Sequence, residues 1–408
     1  MKQLLQTLFF LFAGIILHAQ NTTIDTTLVQ QDLNEILNDI SNNYAYLNDK
    51  HVDMECIRET YSQKVSTLSS AQDVLLFFEY LLDEFYDSHM HLNANTTASY
   101  RLYSPVYTTK QKGHWVISNA WFSQLKPTNT PLIGAKITAF NGIPFEEKID
   151  QFPTICTDKN QPEVREWIAN KVLAGKYNEP RILTLQLKDK TVVKFNLDEL
   201  NYKEHNTLLS TRQEKNIGII TINNSLGNNT LITAFDEALD ALKNTNGLII
   251  DLRNTVDGGN SYVAKGILSR FVDEPLPYQQ HSFIEQYDNQ PPIKRMWIEH
   301  VSPRGIAYTK PVILLVGRWT GSMGEGLSIG FDGTESAQIV GTEMERLCGE
   351  INGFSFINLS YGYSIPTARL FHINGTPREE YVPDNYVRQT TLEIDEALQK
   401  AFELFNVQ

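Results

Sequence analysis

The sequence contains little cysteine, which limits the kinds of site and scaffold to be considered. Its 408 residues include three cysteines, Cys56, Cys156 and Cys348, with no C-x-x-C pair and no histidine at metal-ligand spacing. The sequence therefore gives no support for a structural metal site or a disulfide-rich scaffold. Three buried thiols are the default expectation, and one disulfide with a free thiol is the alternative.

Positive charge is also scarce. The formal net charge is -13, and no run of basic residues occurs anywhere in the chain. This balance argues against nucleic acid or an anionic membrane as a partner. The composition is otherwise that of a globular protein, with 41% hydrophobic and 20% charged residues. That apolar content is sufficient for two or three hydrophobic cores.

Long apolar runs are missing except near the N-terminus. Met1 and Lys2 precede an apolar segment at residues 8–17, which is too short to span a bilayer comfortably and is followed by His18-Ala19-Gln20. This pattern predicts a signal peptide over residues 1–19 and an exported protein, periplasmic or extracellular. An N-terminal anchor helix is the alternative. After removal of this segment we expect no stable membrane span.

The rest of the chain divides into three segments. Apolar residues at helical spacing predict a helical segment over residues 20–92. Residues 93–200 show short alternating strands and an Asn-Gly turn signal at 141–142, which predict a small β-rich module. A helical pattern at residues 161–177 interrupts this module. Residues 201–408 alternate strand and helix, which predicts an α/β core with largely parallel strands.

Residues 310–330 contain the most informative pattern of the α/β segment. The apolar run at 311–317 predicts a buried strand, and a tight turn then leads through Gly321 to a helix that starts near Ser322. Unpaired N–H groups at a helix start stabilise developing negative charge, so Ser322 is a candidate nucleophile. Serine is equally a favoured N-cap, and the segment is not a G-x-S-x-G elbow. Further residues are needed to support the assignment.

Two other stretches carry residue types that serine catalysis requires. His89 follows Ser88 at the end of the helical segment, and a neutral histidine can take the proton of a serine hydroxyl. Gly258 and Gly259 lie between a predicted strand and helix, where glycine lets the backbone approach a substrate closely. Each signal is weak alone, because Gly-Gly turns are common and a lone histidine is usually structural.

Together these stretches resemble the tail-specific, or C-terminal processing, serine peptidases, on the tricorn-core side. Residues 247–271 resemble the family's D-L-R-x-N-x-G-G turn, 310–330 its nucleophile segment, and 377–384 its closing segment. Residues 132–144 resemble the G-x-x-I-x-x-x-N-G signature of a PDZ-like module. The resemblance covers most of the chain beyond the predicted signal peptide. It implies an α/β core of the crotonase/Clp-peptidase type, with an N-terminal helical segment and a small β-rich PDZ-like module.

The resemblance also implies which chemistry to expect. One branch of the family uses a Ser–Lys dyad with the lysine some two dozen residues past the serine, but here the next lysine after Ser322 is Lys400. The other branch uses a Ser–His–Ser–Glu set, which matches four residues of this chain: Ser88, His89, Ser322 and Glu379. Glu380 is the alternative for the glutamate, because the closing segment is shorter than in the family.

The function implied is an exported serine peptidase that acts on polypeptides. Ser322 attacks the carbonyl, His89 serves as general base, and Ser88 and Glu379 orient the base. The oxyanion is held by the Ser322 N–H and by one N–H of Gly258 or Gly259, with the choice between these two open. Gly321 belongs to the same oxyanion and substrate-binding set. No metal or organic cofactor is implied. Two alternatives stay open, an inactive peptide- or lipid-binding protein on the same fold and an esterase-like hydrolase that uses the same serine.

Overall fold

The computed structural model describes residues 24–287 and 289–407. The predicted signal peptide at residues 1–19 lies outside the described residues. Within them the chain is a mixed α/β protein in which strands form three sheets. In this part of the chain, no helix is both long and apolar enough to cross a membrane.

The N-terminal segment is helical, as the apolar spacing predicts. It consists of α1 (Thr26–Asn43), α2 (Met54–Val65) and α3 (Ala71–Asp83), followed by a two-residue strand, β1 (His91–Leu92). Each helix begins after a residue whose side chain accepts a backbone hydrogen bond from its first turn: Asp25, Asp53 and Ser70. The apolar faces of the three helices pack into one core, which also includes Tyr363 and Ile365 from far along the chain.

The second segment is the predicted β-rich module. Its sheet has the order β2-β3-β4-β6-β7, with β5 paired to β4, and the strands are β2 (Val106–Gln111), β3 (His114–Ala120), β4 (Lys136–Phe140), β5 (Ile143–Pro144), β6 (Ile182–Gln186) and β7 (Val192–Asn196). Asn141 and Gly142 form the turn between β4 and β5, both at positive φ, as the Asn-Gly signal predicts. Two helices cover the sheet: α4 (Phe145–Asp150) and α5 (Pro162–Ala174). Of these, α5 is the predicted helical interruption.

The cysteines correct the default expectation of three buried thiols. Cys56 in α2 and Cys156 in the β-rich module form a disulfide, and Cys348 is a free, buried thiol. The buried carboxylate of Glu84 reinforces this junction, because it accepts the backbone N–H groups of residues 155–157. The helical segment and the module are therefore tied together both covalently and by hydrogen bonds.

The third segment contains the predicted parallel sheet. Its order is β17-β14-β13-β10-β9-β8, with strands β8 (Leu209–Glu214), β9 (Ile217–Ile222), β10 (Leu248–Asp251), β13 (Val312–Val316), β14 (Gln338–Gly341) and β17 (Asn385–Tyr386). All neighbours are parallel except β8 and β9. One face is covered by α6 (Leu231–Ala241), α7 (Ser261–Leu268) and α8 (Met323–Gly333), and the other by α9 (Glu396–Val407). Every residue of β13 is buried, which explains its continuous apolar run.

A further sheet was not predicted. It has the order β1-β16-β11-β12 with β15 also paired to β16, and the added strands are β11 (Leu276–Glu285), β12 (Ile293–Val301), β15 (Glu350–Ser355) and β16 (Gly362–Phe371). In this sheet His91 of β1 pairs with Ser364 of β16. This pairing docks the end of the N-terminal segment onto the α/β segment and fixes the position of the nearby His89.

Candidate active site

Ser322 lies between β13 and α8, at the end of a tightly bonded turn. The Thr320 hydroxyl donates to the Leu252 carbonyl and accepts the Gly317 N–H, while the Gly321 N–H donates to the Thr255 carbonyl at 3.2 Å. Ser322 itself has φ 47° and ψ -108°, a conformation that non-glycine residues rarely adopt. A strained serine on a strand–turn–helix junction is typical of nucleophiles.

Gly258 packs directly against this serine. It has φ 63°, and a Cβ placed on it would lie 2.5 Å from the Ser322 Cβ and 3.0 Å from the Ser322 Oγ. A Cβ on Gly259 would collide with the backbone of Leu226. The Gly-Gly turn is therefore required by its close approach to the protein's own Ser322 and Leu226, whereas the sequence analysis expected an approach to substrate.

His89 meets Ser322 from the N-terminal segment. Its Nε2 lies 3.1 Å from the Ser322 Oγ, although the two residues are 233 positions apart. Its Nδ1 lies 2.7 Å from the Cys348 carbonyl oxygen. A carbonyl can only accept, so Nδ1 carries the proton and Nε2 is free to accept one from the serine. The His89 backbone N–H donates to the carboxylate of Asp87.

The protonation state of His89 suits this geometry. The side chain is only 4% exposed. Burial, with a smaller contribution from the nearby Arg378 guanidinium, lowers the pKa of His89 to about 4. The imidazole is therefore neutral at neutral pH, the form that accepts a proton.

Glu325 holds the backbone around the site by hydrogen bonds, and the sequence analysis did not identify this residue. Its carboxylate is fully buried and accepts the N–H of Ser322 at 3.0 Å, of Arg346 at 2.8 Å and of Leu347 at 3.2 Å. Burial, opposed by Arg378, raises the pKa of Glu325 to about 7. The spacing Ser322-x-x-Glu325 is that of a capping box, and this signal was available in the sequence.

Arg378 also binds the loop of residues 346–349, whose N–H groups Glu325 accepts. Its guanidinium donates to the carbonyls of Leu347 at 3.0 Å and Gly349 at 2.7 Å, and the side chain is buried. Between these two residues lies Cys348, whose carbonyl contacts His89. Glu325 and Arg378 together therefore fix the loop that orients the imidazole.

Ser88 and Glu379 make other contacts than those expected from the resemblance. The Ser88 hydroxyl accepts a hydrogen bond from the Trp167 indole at 3.0 Å. The Oε2 atom of Glu379 is buried without a hydrogen-bond partner, and burial raises the pKa of this carboxyl. The His89 Nδ1–H donates instead to the Cys348 carbonyl. A backbone carbonyl carries no sequence signature, so sequence reasoning could not identify it.

The expected oxyanion donors also need correction. The Ser322 N–H is occupied by Glu325, and the N–H groups of Gly258 and Gly321 both donate to the Thr255 carbonyl. Within residues 24–287 and 289–407, the N–H groups of Gly259 and Met323 have no protein acceptor. Met323 is the first residue of α8, and its nitrogen lies beside Gly258. Two free donors thus border Ser322.

A cavity of about 680 Å³ opens next to this site, and its lining includes neighbours of the two candidate catalytic residues but neither Ser322 nor His89. It lies between the helical segment, the β-rich module and the α/β segment, and its wall includes Ser88, Trp167, Trp319, Cys348 and Glu379. Glu380, the alternative glutamate, also lines this cavity. Its size and its mixed polar and aromatic wall suit an extended peptide. No group of acidic, histidine and cysteine side chains in the described part of the chain is arranged to hold a metal ion.

Two family profiles match the chain. The profile of peptidase family S41 matches residues 216–387, and that of the tricorn protease C1 domain matches residues 26–83. The first match contains Ser322, the Gly258-Gly259 turn and the closing segment. A sequence comparison with curated proteins finds no match.

Solved peptidase structures share the fold. Mature CPAF is 14% identical, with a TM-score of 0.61 over 93% of this chain and 96% of the other. The photosystem II D1 C-terminal processing protease is 14% identical, with a TM-score of 0.51 over 88% and 92%. A putative peptidase from Parabacteroides merdae ATCC 43184 is 14% identical, with a TM-score of 0.52 over 93% and 96%. The chain belongs to peptidase family S41, and it is a serine peptidase of the C-terminal processing type.

Proposed function

We propose that the protein hydrolyses peptide bonds with Ser322 as nucleophile and His89 as general base. The observation that carries this assignment is the 3.1 Å distance between His89 Nε2 and Ser322 Oγ. That distance is within the range over which a base removes a proton from a nucleophile. The neutral state of the buried imidazole supports the same roles.

The reaction proceeds through an acyl-enzyme. The Ser322 Oγ attacks the carbonyl carbon of the scissile bond while its proton passes to His89 Nε2. The imidazolium is stabilised by its Nδ1–H bond to the Cys348 carbonyl, and it then gives the proton to the leaving amine. A water molecule, deprotonated by His89, attacks the ester and releases Ser322.

The oxyanion of each tetrahedral intermediate is held by the N–H groups of Gly259 and Met323. Both donors are free, and Met323 adds the positive end of the α8 dipole. A donor of this kind contributes about 3 kcal/mol of transition-state stabilisation. Ser322 N–H has a different role, because its bond to Glu325 holds the strained turn.

Ser88 and Glu379 support His89 indirectly in this proposal. Ser88 adjoins the base, and Glu379 lies in the same cavity wall as Asp87, which accepts the His89 backbone N–H.

We also infer the finer organisation of the chain and its compartment. Residues 20–92 form the helical segment, 93–200 a PDZ-like module, and 201–408 a catalytic core of the crotonase/Clp-peptidase type. The disulfide between Cys56 and Cys156 supports an oxidising compartment, in keeping with export to the periplasm or the cell exterior.

The serine assignment is tested with an unfolded protein substrate and a fluorophosphonate probe. Ser322→Ala should abolish both hydrolysis and labelling, and His89→Ala should slow hydrolysis by about 10²–10⁴-fold. Ser261→Ala, at the exposed start of α7, is the matched control and should behave as wild type. Wild-type rates in Ser322→Ala would refute the assignment. A wild-type protein that binds peptides without labelling would favour a binding role, and turnover of small esters alone would favour an esterase.

A further inference from the structure

A carboxylate without a partner lies next to the nucleophile. The backbone N–H of Glu345 donates to the Thr320 carbonyl at 3.1 Å, which fixes Glu345 beside the nucleophile turn. Its side chain packs on Gly321, so closely that a Cβ there would collide with the Glu345 Oε2. The Glu345 side chain therefore contacts Gly321, the residue that precedes Ser322.

Nothing in the described residues neutralises this carboxylate. Its Oε2 is buried and has no hydrogen-bond partner, and Glu345 takes part in no ion pair in residues 24–287 and 289–407. The two charged groups that act on this carboxyl, Glu325 and Asp257, are both acidic. Burial first, and then these two acids, raise the pKa of Glu345 well above its usual value. In the empty site this shift favours the protonated carboxyl, and a bound cation would stabilise the ionised form.

The neighbouring charged groups form no ion pair with Glu345 in the described residues. Asp257 is exposed and contacts only neutral partners, Asn224 at 2.6 Å and the Tyr103 hydroxyl at 3.4 Å. Neither nearby arginine forms an ion pair with Glu345 in the described residues, although Arg346 is exposed and pairs with no carboxylate there. Arg318 pairs with Glu343 at 3.5 Å, and the Arg346 Nε donates to the Glu379 carbonyl.

Glu345 is also accessible from the substrate cavity. It lines the cavity of about 680 Å³ together with the aromatic side chains of Tyr103 and Trp319. Such a wall packs well against the methylene stem of a long basic side chain, while a carboxylate at its end binds the charged head.

We propose that Glu345, assisted by Asp257, binds a lysine or arginine side chain of the polypeptide substrate adjacent to the scissile bond. This inference rests on the proposed function, because it assigns a substrate class to the same site. Glu345 is then a specificity-determining residue, and peptides with a basic residue beside the cleaved bond are the preferred substrates.

The test uses the full-length enzyme and peptides that differ at one residue flanking the scissile bond. Lysine and arginine are compared with norleucine and citrulline, which keep the length without the charge. Wild type should prefer the basic peptides in kcat/KM by at least about tenfold. Glu345→Gln should lose this preference mainly through KM, Glu345→Asp should retain part of it, and Asp257→Asn should weaken it. Glu214→Gln, an exposed carboxylate in β8 outside this cavity, is the matched control and should leave it unchanged.

The outcomes separate this inference from the proposed function. Cleavage of both peptide classes at equal rates by wild type, or a full preference in Glu345→Gln, overturns the basic-residue site while the peptidase assignment stands. If Glu345→Gln fails to fold, the wild-type comparison and Asp257→Asn decide the matter. Wild type that cleaves none of the peptides and no unfolded protein, as Ser322→Ala is expected to do, counts instead against the peptidase assignment.

Discussion

His89 shows how much of the chemistry depends on the surroundings of one side chain. The imidazole is buried, its Nδ1 is fixed by the Cys348 carbonyl, and its Nε2 faces Ser322. Burial lowers the pKa of His89 to about 4, so the ring keeps its accepting form well below neutral pH. The family resemblance identified His89 and Ser322 as residues, but burial determines the protonation state in which His89 works.

The pH dependence of activity follows from this pKa. The acid limb of kcat/KM should fall near pH 4, where His89 becomes protonated, and not near the ordinary histidine value of about 6.5. Rates of peptide hydrolysis and of fluorophosphonate labelling between pH 3.5 and 8 measure it. An acid limb close to pH 6.5 in both assays would contradict the assignment of a buried, neutral base.

The same group makes folding stability depend on pH. Between about pH 4 and 6.5 the unfolded chain binds a proton that native His89 does not, so its contribution to stability falls as pH falls through this window. Glu325 acts in the opposite sense. With a native pKa of about 7 and a usual value of 4.5, it contributes stability below pH 4.5 that is lost as pH rises through 7. Urea unfolding of His89→Gln and Glu325→Gln across this pH range measures the two contributions separately. His89→Gln should lose the fall in stability between pH 6.5 and 4, and Glu325→Gln should lose the fall between pH 4.5 and 7.

At the scale of elements, the site is made where two strand-to-helix connections touch. One connection leads from β10 to α7 through the Gly-Gly turn, and the other leads from β13 to α8 through Ser322. Because β10 and β13 are parallel neighbours, their carboxyl ends lie side by side and bring the two turns together. The strand-and-helix alternation in the sequence predicted parallel strands, and the structure shows that β10 and β13 are neighbours.

Gly258→Ala tests this contact. The added Cβ would lie 2.5 Å from the Ser322 Cβ, and φ 63° is unfavourable for alanine. We expect a loss of about 1–3 kcal/mol in the free energy of unfolding and a fall of about 10²-fold or more in kcat/KM. Gly353→Ala in β15 is the control, since a Cβ there meets nothing within 4 Å. Equal behaviour of the two variants in chemical denaturation and peptide hydrolysis would show that the turns do not need this close approach.

In the molecule as a whole, the proposed base His89 and the proposed nucleophile Ser322 belong to different segments. The pairing of β1 with β16 docks the N-terminal segment, and Tyr44 donates to Asp87, whose other oxygen accepts the His89 N–H. The disulfide between Cys56 and Cys156 then attaches this segment to the β-rich module. The cavity wall contains residues of all three segments, so its shape depends on their relative positions.

Loss of the disulfide should destabilise the protein and weaken catalysis. The bridge joins residues 100 positions apart, and its removal in Cys56→Ser/Cys156→Ser is expected to lower the free energy of unfolding by about 2–5 kcal/mol. The melting temperature of wild type should fall on reduction, whereas that of the double variant should not respond to a reductant. A reductant that leaves the wild-type melting temperature unchanged would show that the bridge adds no stability.

The sequence by itself determined the local structure and the chemical candidates. Apolar periodicity predicted the helical segment, the β-rich module and the parallel sheet, and family motifs indicated Ser322, His89 and the Gly-Gly turn. These features can be predicted from sequence because they depend on neighbouring residues or on the chemical type of a side chain.

The contacts that these candidates make depend on the three-dimensional fold. It placed the Cys348 carbonyl on His89, engaged the Ser322 N–H with Glu325, and left the N–H groups of Gly259 and Met323 free. It also paired β1 with β16 and Cys56 with Cys156, over separations that no local pattern records. The physical reason is that backbone donors and acceptors are the same in every residue, so their partners depend on long-range packing and not on residue type.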